Sequence, residues 1–159
     1  MGCGKSHWAK IWGEKYNLPV IDLDYNIEVK EKCSINEVFI NLGEQHFRNL
    51  ERAALLETYK IENCIIACGG GTPVYLNNLK WMKDNGRVVY ISEKPEVLLK
   101  NILKETNSRP LIHGLKGKEL LNFINLKLNE RKPFYESADL ILNSTELNLE
   151  SFQKILDYA

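Results

Sequence analysis

The stretch Gly2-Cys3-Gly4-Lys5-Ser6 decides how this chain is expected to fold. It matches the second half of the phosphate-binding pattern G-x-x-x-x-G-K-[ST], in which glycines let consecutive backbone N–H groups curl around a phosphate. The N-terminus of the following helix adds partial positive charge, Lys5 reaches the terminal phosphates and the Ser6 hydroxyl binds Mg²⁺. A glycine-rich tail without function is the alternative interpretation of this stretch.

Strands and helices alternate along the rest of the chain. Four short apolar runs predict strands over residues 19–23, 63–68, 87–91 and 139–143. Helices are predicted over residues 5–16, 44–59, 74–84, 94–105, 117–131 and 147–158. Three of the apolar runs are continuous, which is typical of strands covered on both faces. The pattern predicts a single α/β domain over residues 1–159, with a parallel sheet that binds ligands at the C-terminal ends of its strands.

The composition limits the classes of function. The chain has 159 residues, 44% of them hydrophobic, which suffices for one buried core. Lysine plus arginine and aspartate plus glutamate each number 21, so the formal net charge is zero. A zero balance argues against a broad nucleic-acid or membrane-surface binder and leaves room for a local cationic pocket. The scattered cysteines and the lack of a long apolar run predict reduced thiols in a cytoplasmic protein.

Two acidic residues, Asp22 and Asp24, end the first predicted strand. Alternation along a strand would send both carboxylates to the same side of the sheet. Beside a phosphate loop, one carboxylate can order Mg²⁺ and its waters while the other accepts a proton or a hydrogen bond from a substrate hydroxyl. A solvated pair of acids at a strand end is the alternative.

Arginine and glycine residues supply a second candidate site. Arg48 and Glu51 are three apart on a predicted helix. They form either a surface ion pair or a unit in which Glu51 holds Arg48 for a bidentate grip on a substrate carboxylate. Gly69-Gly70-Gly71 follows the second strand and lets backbone approach a ligand closely. Arg131 brings a second arginine near the edge of the sheet.

The stretch over residues 106–118 is less regular than its surroundings. It contains two glycines, a proline and, besides His113, three basic residues, of which Arg109 is the first. An ordinary surface loop is one interpretation. The other is a mobile lid, over about residues 109–120, that carries cationic groups to a ligand.

Together these motifs resemble the shikimate kinase family. The resemblance runs from Met1 to about Asn143, and its motifs keep the family's order: the phosphate-loop remnant, Asp-x-Asp, Phe-Arg-x-x-Glu, Gly-Gly-Gly, Arg-Pro-Leu and Arg-x-Pro-x-Tyr-x-x-Ala-Asp. It implies a P-loop NTPase-type three-layer sandwich, with a parallel sheet that normally has five strands, flanking helices and a short lid. It also implies ATP-dependent phosphorylation of the shikimate 3-hydroxyl, giving shikimate 3-phosphate and ADP in the biosynthesis of chorismate and the aromatic amino acids.

The resemblance implies a role for each matching residue. The ATP phosphates would be held by Gly2, Cys3, Gly4, Lys5, Ser6, His7 and Arg109. Mg²⁺ would bind at Ser6 and, through water, at Asp22. Shikimate would be bound by Asp24, Arg48, Gly70, Gly71 and Arg131, with both arginines on its carboxylate. The catalytic residues would be Lys5, Asp24 as the candidate base, and Arg109, which would neutralise charge on the transferring phosphoryl group. The family is often monomeric, and the implied partners are ATP and shikimate, without nucleic acid or membrane.

The chain departs from the family pattern at three places. The family's opening strand and first loop glycine are missing, and that strand is expected in the centre of the sheet, between the strands that end at Asp24 and Cys68. Its loss should expose apolar sheet and unpaired backbone at a cost of several kcal/mol, which favours a true start upstream or a truncated chain. His7 stands where the family has threonine. Asn101 stands near the position of an adenine-stacking arginine, which predicts weaker ATP binding.

Two other functions stay open from the sequence. Another small-molecule P-loop kinase, such as a gluconate kinase, would also act on a substrate that carries a carboxylate. A non-catalytic shikimate-kinase-like domain would bind a ligand or partner without turnover. The incomplete phosphate loop favours this last interpretation, and the intact candidate site residues oppose it.

Overall fold

A computed structural model describes residues 2–104, 112 and 114–157 of the chain. In this part the helices and strands follow one another as α1 (Lys5–Tyr16), β1 (Val20–Asp22), α2 (Leu23–Glu31), α3 (Ile35–Glu57), β2 (Ile65–Ala67), α4 (Asn78–Asn85), β3 (Val89–Ser92), α5 (Pro95–Lys104), α6 (Gly117–Tyr135), β4 (Leu140–Asn143) and α7 (Ser151–Asp157). Short 3₁₀ turns cover Thr58–Lys60, Thr72–Val74 and Ser144–Glu146. The predicted alternation of strands and helices is confirmed.

The strands form two parallel pairs. β1 pairs with β2, with Val20 opposite Ile65 and Asp22 opposite Ala67. β3 pairs with β4 in the same sense, from Val89 opposite Leu140 onward. Parallel strands need crossover connections, and the intervening helices supply them. The predicted α/β class with a parallel sheet is therefore confirmed.

A cavity of about 1340 Å³ separates the two strand pairs and is bordered by β2 on one side and β3 on the other. We call it the interstrand gap. From the sequence, the position of the missing family strand was expected between the strands that end at Asp24 and Cys68. That expectation of an interruption of the sheet at this point was wrong. Those strands are β1 and β2, which pair directly, and the hydrogen bond from Ile65 N–H to the Pro19 carbonyl, at 2.8 Å, continues their ladder. The interruption lies one strand further along the sheet.

Helices pack against both strand pairs. Beside β4, Trp12 of α1 contacts Phe152 of α7, with ring centroids 5.6 Å apart, and the Trp12 indole donates to the Asn148 carbonyl at 2.9 Å. Beside β1 and β2, the buried Leu23 and Leu55 pack with Trp81. The tryptophans are packing residues, as their helical positions indicate.

The chain between β1 and α3 differs from the prediction. A strand was expected through Leu23, but α2 begins at Leu23 because Asp22 caps it. The Asp22 carboxylate accepts the backbone N–H groups of Asp24 at 3.1 Å and Tyr25 at 3.4 Å, which satisfies donors that a helix start leaves open. The expectation that alternation places Asp22 and Asp24 on one side of a strand was therefore wrong.

The helix that carries Arg48 is longer than predicted. α3 begins at a capping box, in which Ser34 and Glu37 satisfy each other's backbone N–H groups, and it is kinked at Gly43, where φ is 81°. After the kink, Phe47 and Leu55 are buried and Glu51 lies between them on the same face. This segment reaches the loop that follows β2.

In the described part of the chain, no helix is long and apolar enough to cross a membrane.

Candidate active site

The phosphate loop enters α1 at Gly4. Gly2 has φ 64° and Gly4 has φ 81°, a left-handed conformation that glycine adopts without strain. Gly4 is the N-cap of α1, and its carbonyl accepts the Trp8 N–H at 3.0 Å. Lys5 and Ser6 therefore occupy the first turn, where backbone N–H groups and the helix dipole favour an anion.

Asn101 of α5 holds the start of this loop. Its side-chain amide donates to the Gly2 carbonyl at 2.8 Å, and Cys3 packs against the apolar contact between α5 and α6. The sequence singled out Asn101 only as a missing arginine. In the fold it is a structural partner of the phosphate loop.

Ser6 meets Asp22 across the top of β1. The Ser6 hydroxyl donates to Asp22 Oδ2 at 2.8 Å, while Oδ1 of the same carboxylate caps α2. The two side chains offer oxygen ligands, which Mg²⁺ prefers. A Mg²⁺ ion is typically bound by one or two such protein groups together with substrate phosphates and waters. No cluster of three or more His, Cys, Asp or Glu side chains with metal-binding geometry occurs among the described residues. The donor set therefore fits an ion completed by phosphate.

The thiol of Cys68, directly after β2, marks where four elements meet. Burial raises the pKa of this thiol to about 11, and the charges of Lys5, Glu51 and Asp24 act on it with smaller effects. Asp24 is partly buried in the first turn of α2. The charges of the predicted base, the phosphate-loop lysine and the α3 carboxylate thus all act on the thiol at the C-terminal end of β2.

Arg48 is gripped by two carboxylates of its own helix. Its Nη1 donates to Glu51 Oε2 at 2.6 Å, and Nε and Nη2 donate to Glu44 Oε1 at 3.3 and 3.0 Å. Burial by itself lowers the pKa of the Arg48 guanidinium, but the charge of Glu51 and the hydrogen bonds to both carboxylates outweigh it, so that the pKa is raised. The Arg48 side chain is 11% exposed and Glu51 is fully buried, so the pair is more than a surface ion pair.

Two of the three glycines after β2, Gly69 and Gly71, pack directly on this pair. A Cβ atom on Gly71 would lie 2.5 Å from Arg48 Cζ, and one on Gly69 would overlap the Glu51 carboxylate. Neither glycine has a positive φ, so close approach explains them and backbone freedom does not. The carbonyl of Gly70 accepts the Tyr135 hydroxyl at 2.7 Å, which ties the glycine loop to α6.

Arg131 of α6 is 8% exposed and faces the same cavity as Lys5 and Gly70. One turn later, Tyr135 stacks on Tyr90 with ring centroids 4.6 Å apart. Burial raises the pKa of Tyr135, and the charge and hydrogen bonding of Arg131 partly offset that rise. Arg131 thus lines the cavity that the phosphate loop and the glycine loop also border, and its role there stays a prediction.

Two predicted residues stand apart from this group. His7 is exposed in the first turn of α1 and lies edge-to-face against Trp8, with centroids 5.8 Å apart. Arg109 lies outside the described residues, as does most of the predicted lid before Gly114. Of the rest of the predicted lid, Gly117–Leu120 forms the first turn of α6, and Leu120 is buried.

Sequence reasoning assigned no role to Thr72, Asn78 or Tyr135. All three join elements through hydrogen bonds at this site. The available signal was weak. Thr72 is a polar residue directly after three glycines, and Tyr135 lies inside the Arg-x-Pro-x-Tyr motif. Neither position in the sequence indicates which residue the side chain bonds to.

Residues 1–159 match the family model described as shikimate kinase. The chain belongs to the shikimate kinase family. A shikimate kinase from Bacteroides thetaiotaomicron is 38% identical over 147 residues, which cover 92% of this chain and 84% of that relative.

Solved structures of the shikimate kinase family share the fold. A crystal structure of shikimate kinase from Bacteroides thetaiotaomicron superimposes with a TM-score of 0.92 at 35% identity, covering 99% of this chain and 94% of the other. A shikimate kinase from Acinetobacter baumannii in complex with shikimate gives a TM-score of 0.85 at 29% identity, covering 98% and 86%. The predicted P-loop sandwich is confirmed by these matches.

Proposed function

We propose that this chain phosphorylates the 3-hydroxyl of shikimate with ATP and Mg²⁺, giving shikimate 3-phosphate and ADP on the route to chorismate and the aromatic amino acids. One observation carries the proposal. In a chain whose whole length matches the family, the Ser6–Asp22 pair and the buried Arg48–Glu51 pair lie at the same end of the parallel strands. The first pair suits a metal-bound nucleotide and the second suits a carboxylate. The gluconate kinase and non-catalytic alternatives are not favoured.

On the nucleotide side, the backbone of Gly2, Cys3 and Gly4 and the side chains of Lys5 and Ser6 would surround the phosphates, with His7 at the rim. The α1 N-terminus adds favourable charge there. Ser6 and Asp22 would hold Mg²⁺, with Asp22 acting through water. The ion, when bound, neutralises charge on the phosphates. Lys5 orients the terminal phosphates, which is the main demand of phosphoryl transfer.

On the substrate side, Arg48 and Arg131 would bind the shikimate carboxylate, and Gly70 with Gly71 would offer backbone N–H groups. Asp24 would accept the proton of the attacking hydroxyl. Its position in the first turn of α2, at the C-terminal end of β1, supports that role. Arg109 would approach from a lid over about residues 109–120 and neutralise charge on the transferring group.

We also propose that residues 1–159 act as one domain, as a monomer in the cytoplasm, with ATP and shikimate as its partners and without nucleic acid or membrane. The zero net charge and the four free cysteines support this setting. Light scattering during size-exclusion chromatography tests the monomer, and a shift to twice the mass would contradict it.

The decisive experiment measures ADP release from ATP and Mg²⁺, with and without shikimate, after circular dichroism has established that the chain is folded. Shikimate-dependent release is expected, and Arg48→Ala should abolish it. Lys80→Ala removes a cation from an exposed pair with Asp84 and serves as the matched control with unchanged turnover. Turnover with gluconate in place of shikimate, or a folded chain without turnover, would contradict the proposed function.

A further inference from the structure

We propose that Thr72 is a positioning residue that keeps Arg48 available for the substrate carboxylate, an inference that rests on the proposed function. Thr72 directly follows the three glycines and begins the 3₁₀ turn Thr72–Val74. Its side chain is completely buried. Its hydroxyl donates to Glu51 Oε1 at 2.6 Å.

Glu51 divides its two oxygens between two partners. Oε1 accepts from Thr72, and Oε2 accepts from Arg48 Nη1, each at 2.6 Å. The residue is 0% exposed, so neither oxygen can exchange its partner freely for water. Because Thr72 occupies one oxygen, Glu51 engages the guanidinium through the other one.

That division leaves donors on Arg48. A guanidinium has five N–H groups. The hydrogen bonds to Glu44 and Glu51 use one on Nε, one on Nη2 and one on Nη1. Within the described residues, one N–H therefore remains on each terminal nitrogen. Two parallel N–H groups on the terminal nitrogens are what a bidentate carboxylate requires.

Thr72 is itself held in place from behind. The Asn78 side-chain amide donates to the Thr72 carbonyl at 2.9 Å, and Arg52 Nη1 donates to Asn78 Oδ1 at 2.6 Å. Asn78 is fully buried. The direction of the Thr72 hydroxyl is thus set by contacts from both α3 and α4.

Loss of the hydroxyl would free Glu51 Oε1 inside a buried site. A buried acceptor without a donor is unfavourable, and Arg48 Nη1, which already donates to the other oxygen of the same carboxylate, carries a second N–H. Glu51 would rotate toward it and take a group that the substrate carboxylate needs. Loss of the Thr72 hydroxyl would therefore weaken substrate binding.

The test is Thr72→Val, which keeps the shape and removes the hydroxyl. We expect the KM for shikimate to rise about five- to tenfold, while kcat and the KM for ATP change less than about twofold. Thr72→Ser restores the hydroxyl and should return the KM for shikimate to near the wild-type value. An unchanged KM in Thr72→Val, or a Thr72→Ser variant that behaves like Thr72→Val, would overturn the proposal.

Thr58→Val is the matched control. Thr58 is also buried and follows α3, but its hydroxyl donates to the Leu55 carbonyl at 2.7 Å, away from Glu51. We expect this variant to lose stability and to keep the wild-type KM for shikimate. An equal rise in KM in both variants would mean that any buried threonine hydroxyl has this effect, and would overturn the proposal.

A substrate analogue separates positioning of Arg48 from general damage. In an analogue whose carboxylate is replaced by a hydroxymethyl group, Thr72→Val should raise KM by less than about twofold, because no carboxylate competes with Glu51 for Arg48. An equal rise for shikimate and the analogue would overturn the proposal.

Thermal unfolding of each variant shows whether it folds. If Thr72→Val does not fold, Thr72→Ala replaces it, because alanine also lacks the hydroxyl and introduces no new methyl group. If neither variant folds, Thr72 is structural and the proposal fails. A wild-type chain without shikimate-dependent turnover contradicts the proposed function, whereas an active wild type with an unaffected Thr72→Val contradicts only this inference.

Discussion

The junction between α3 and the glycine loop and the interstrand gap are built in opposite ways. At the junction, Arg48, Glu51, Thr72 and Asn78 form one continuous chain of hydrogen bonds. In the described part of the molecule no buried side-chain polar atom lacks a partner. At the gap, by contrast, no strand among the described residues pairs with the edges of β2 and β3 that face each other. The half of the site that we propose binds substrate is fixed by local contacts of α3, while the centre of the sheet is open.

The difference shows that the position of Arg48 does not depend on a continuous sheet between β2 and β3. α3 positions Arg48 through partners three and four residues away and through a loop that packs directly on it. None of these contacts uses the open edge of β2 or β3. Local stability follows local contact density, so the two regions should respond differently to the same disturbance.

The largest expected effect comes from Glu51→Gln, which breaks the junction. Leaving Arg48 without its buried counter-charge should cost about 3 kcal/mol of stability and lower kcat/KM for shikimate by about 100-fold or more. Chemical denaturation and steady-state kinetics measure the two quantities. Glu44→Gln is the control, because Glu44 binds the same guanidinium but its side chain is 52% exposed, and its loss should cost at most about 1 kcal/mol. Equal effects of the two substitutions would contradict this account.

Hydrogen exchange compares the regions directly. Amides of β2 and β3 should exchange at least about tenfold faster than amides in the Arg48–Leu55 part of α3, because the gap leaves each strand one open edge. Mass spectrometry of exchanged peptides, with the Arg48–Leu55 amides of α3 as the reference, gives the rates. Protection of β2 equal to that of α3 would mean that the open edge carries no weakness.

Cysteine reactivity tests the point where the two regions meet. Because burial raises the pKa of the Cys68 thiol to about 11, its thiolate is scarce at pH 8. We expect alkylation of Cys68 to be about tenfold slower than that of Cys3, since the higher nucleophilicity of a less acidic thiol offsets part of the loss. Peptide mass spectrometry after timed alkylation measures both. Faster labelling of Cys68 would show that the gap admits solvent to the end of β2.

The smallest effect is expected at the lower end of the gap, where Asp139 joins β3 to β4. Burial alone raises the pKa of Asp139, but the Val88 N–H at 2.9 Å and the cation of Lys83 outweigh it, so that the pKa is lowered. A lowered pKa in the folded state contributes stability above the unfolded value, and the contribution is lost as pH falls through the folded pKa. Asp139→Asn should therefore cost about 0.5–1 kcal/mol at pH 7 and nothing once the pH lies below the lowered pKa. Urea unfolding of the wild type and Asp139→Asn from pH 7 down to acid measures this. A stability difference between the two that persists in acid would contradict the role given to the Asp139 carboxylate.

Much of the secondary structure was predictable, and the errors have physical causes. The strands lie within a residue or two of the predicted runs, because buried parallel strands read as short continuous apolar segments. The start of α2 was missed because β1, Val20–Asp22, has only three residues, and so short an apolar run does not show where the strand ends. Asp22 is both the last residue of this strand and the N-cap of α2. The start of α3 at Ile35 was missed because Gly43 divides the helix and breaks its apolar stripe.

Local chemistry in the sequence by itself determined the phosphate loop, the α/β class and the pairing of Arg48 with Glu51. Each depends on residues close together in the chain, so spacing and side-chain type suffice. Tertiary structure alone decided that Ser6 meets Asp22, that Thr72 takes one oxygen of Glu51, and that the sheet opens between β2 and β3. These contacts join residues 16 or more positions apart. Only the packing of helices against the two strand pairs brings such residues together, and one sequence carries no local signal for that.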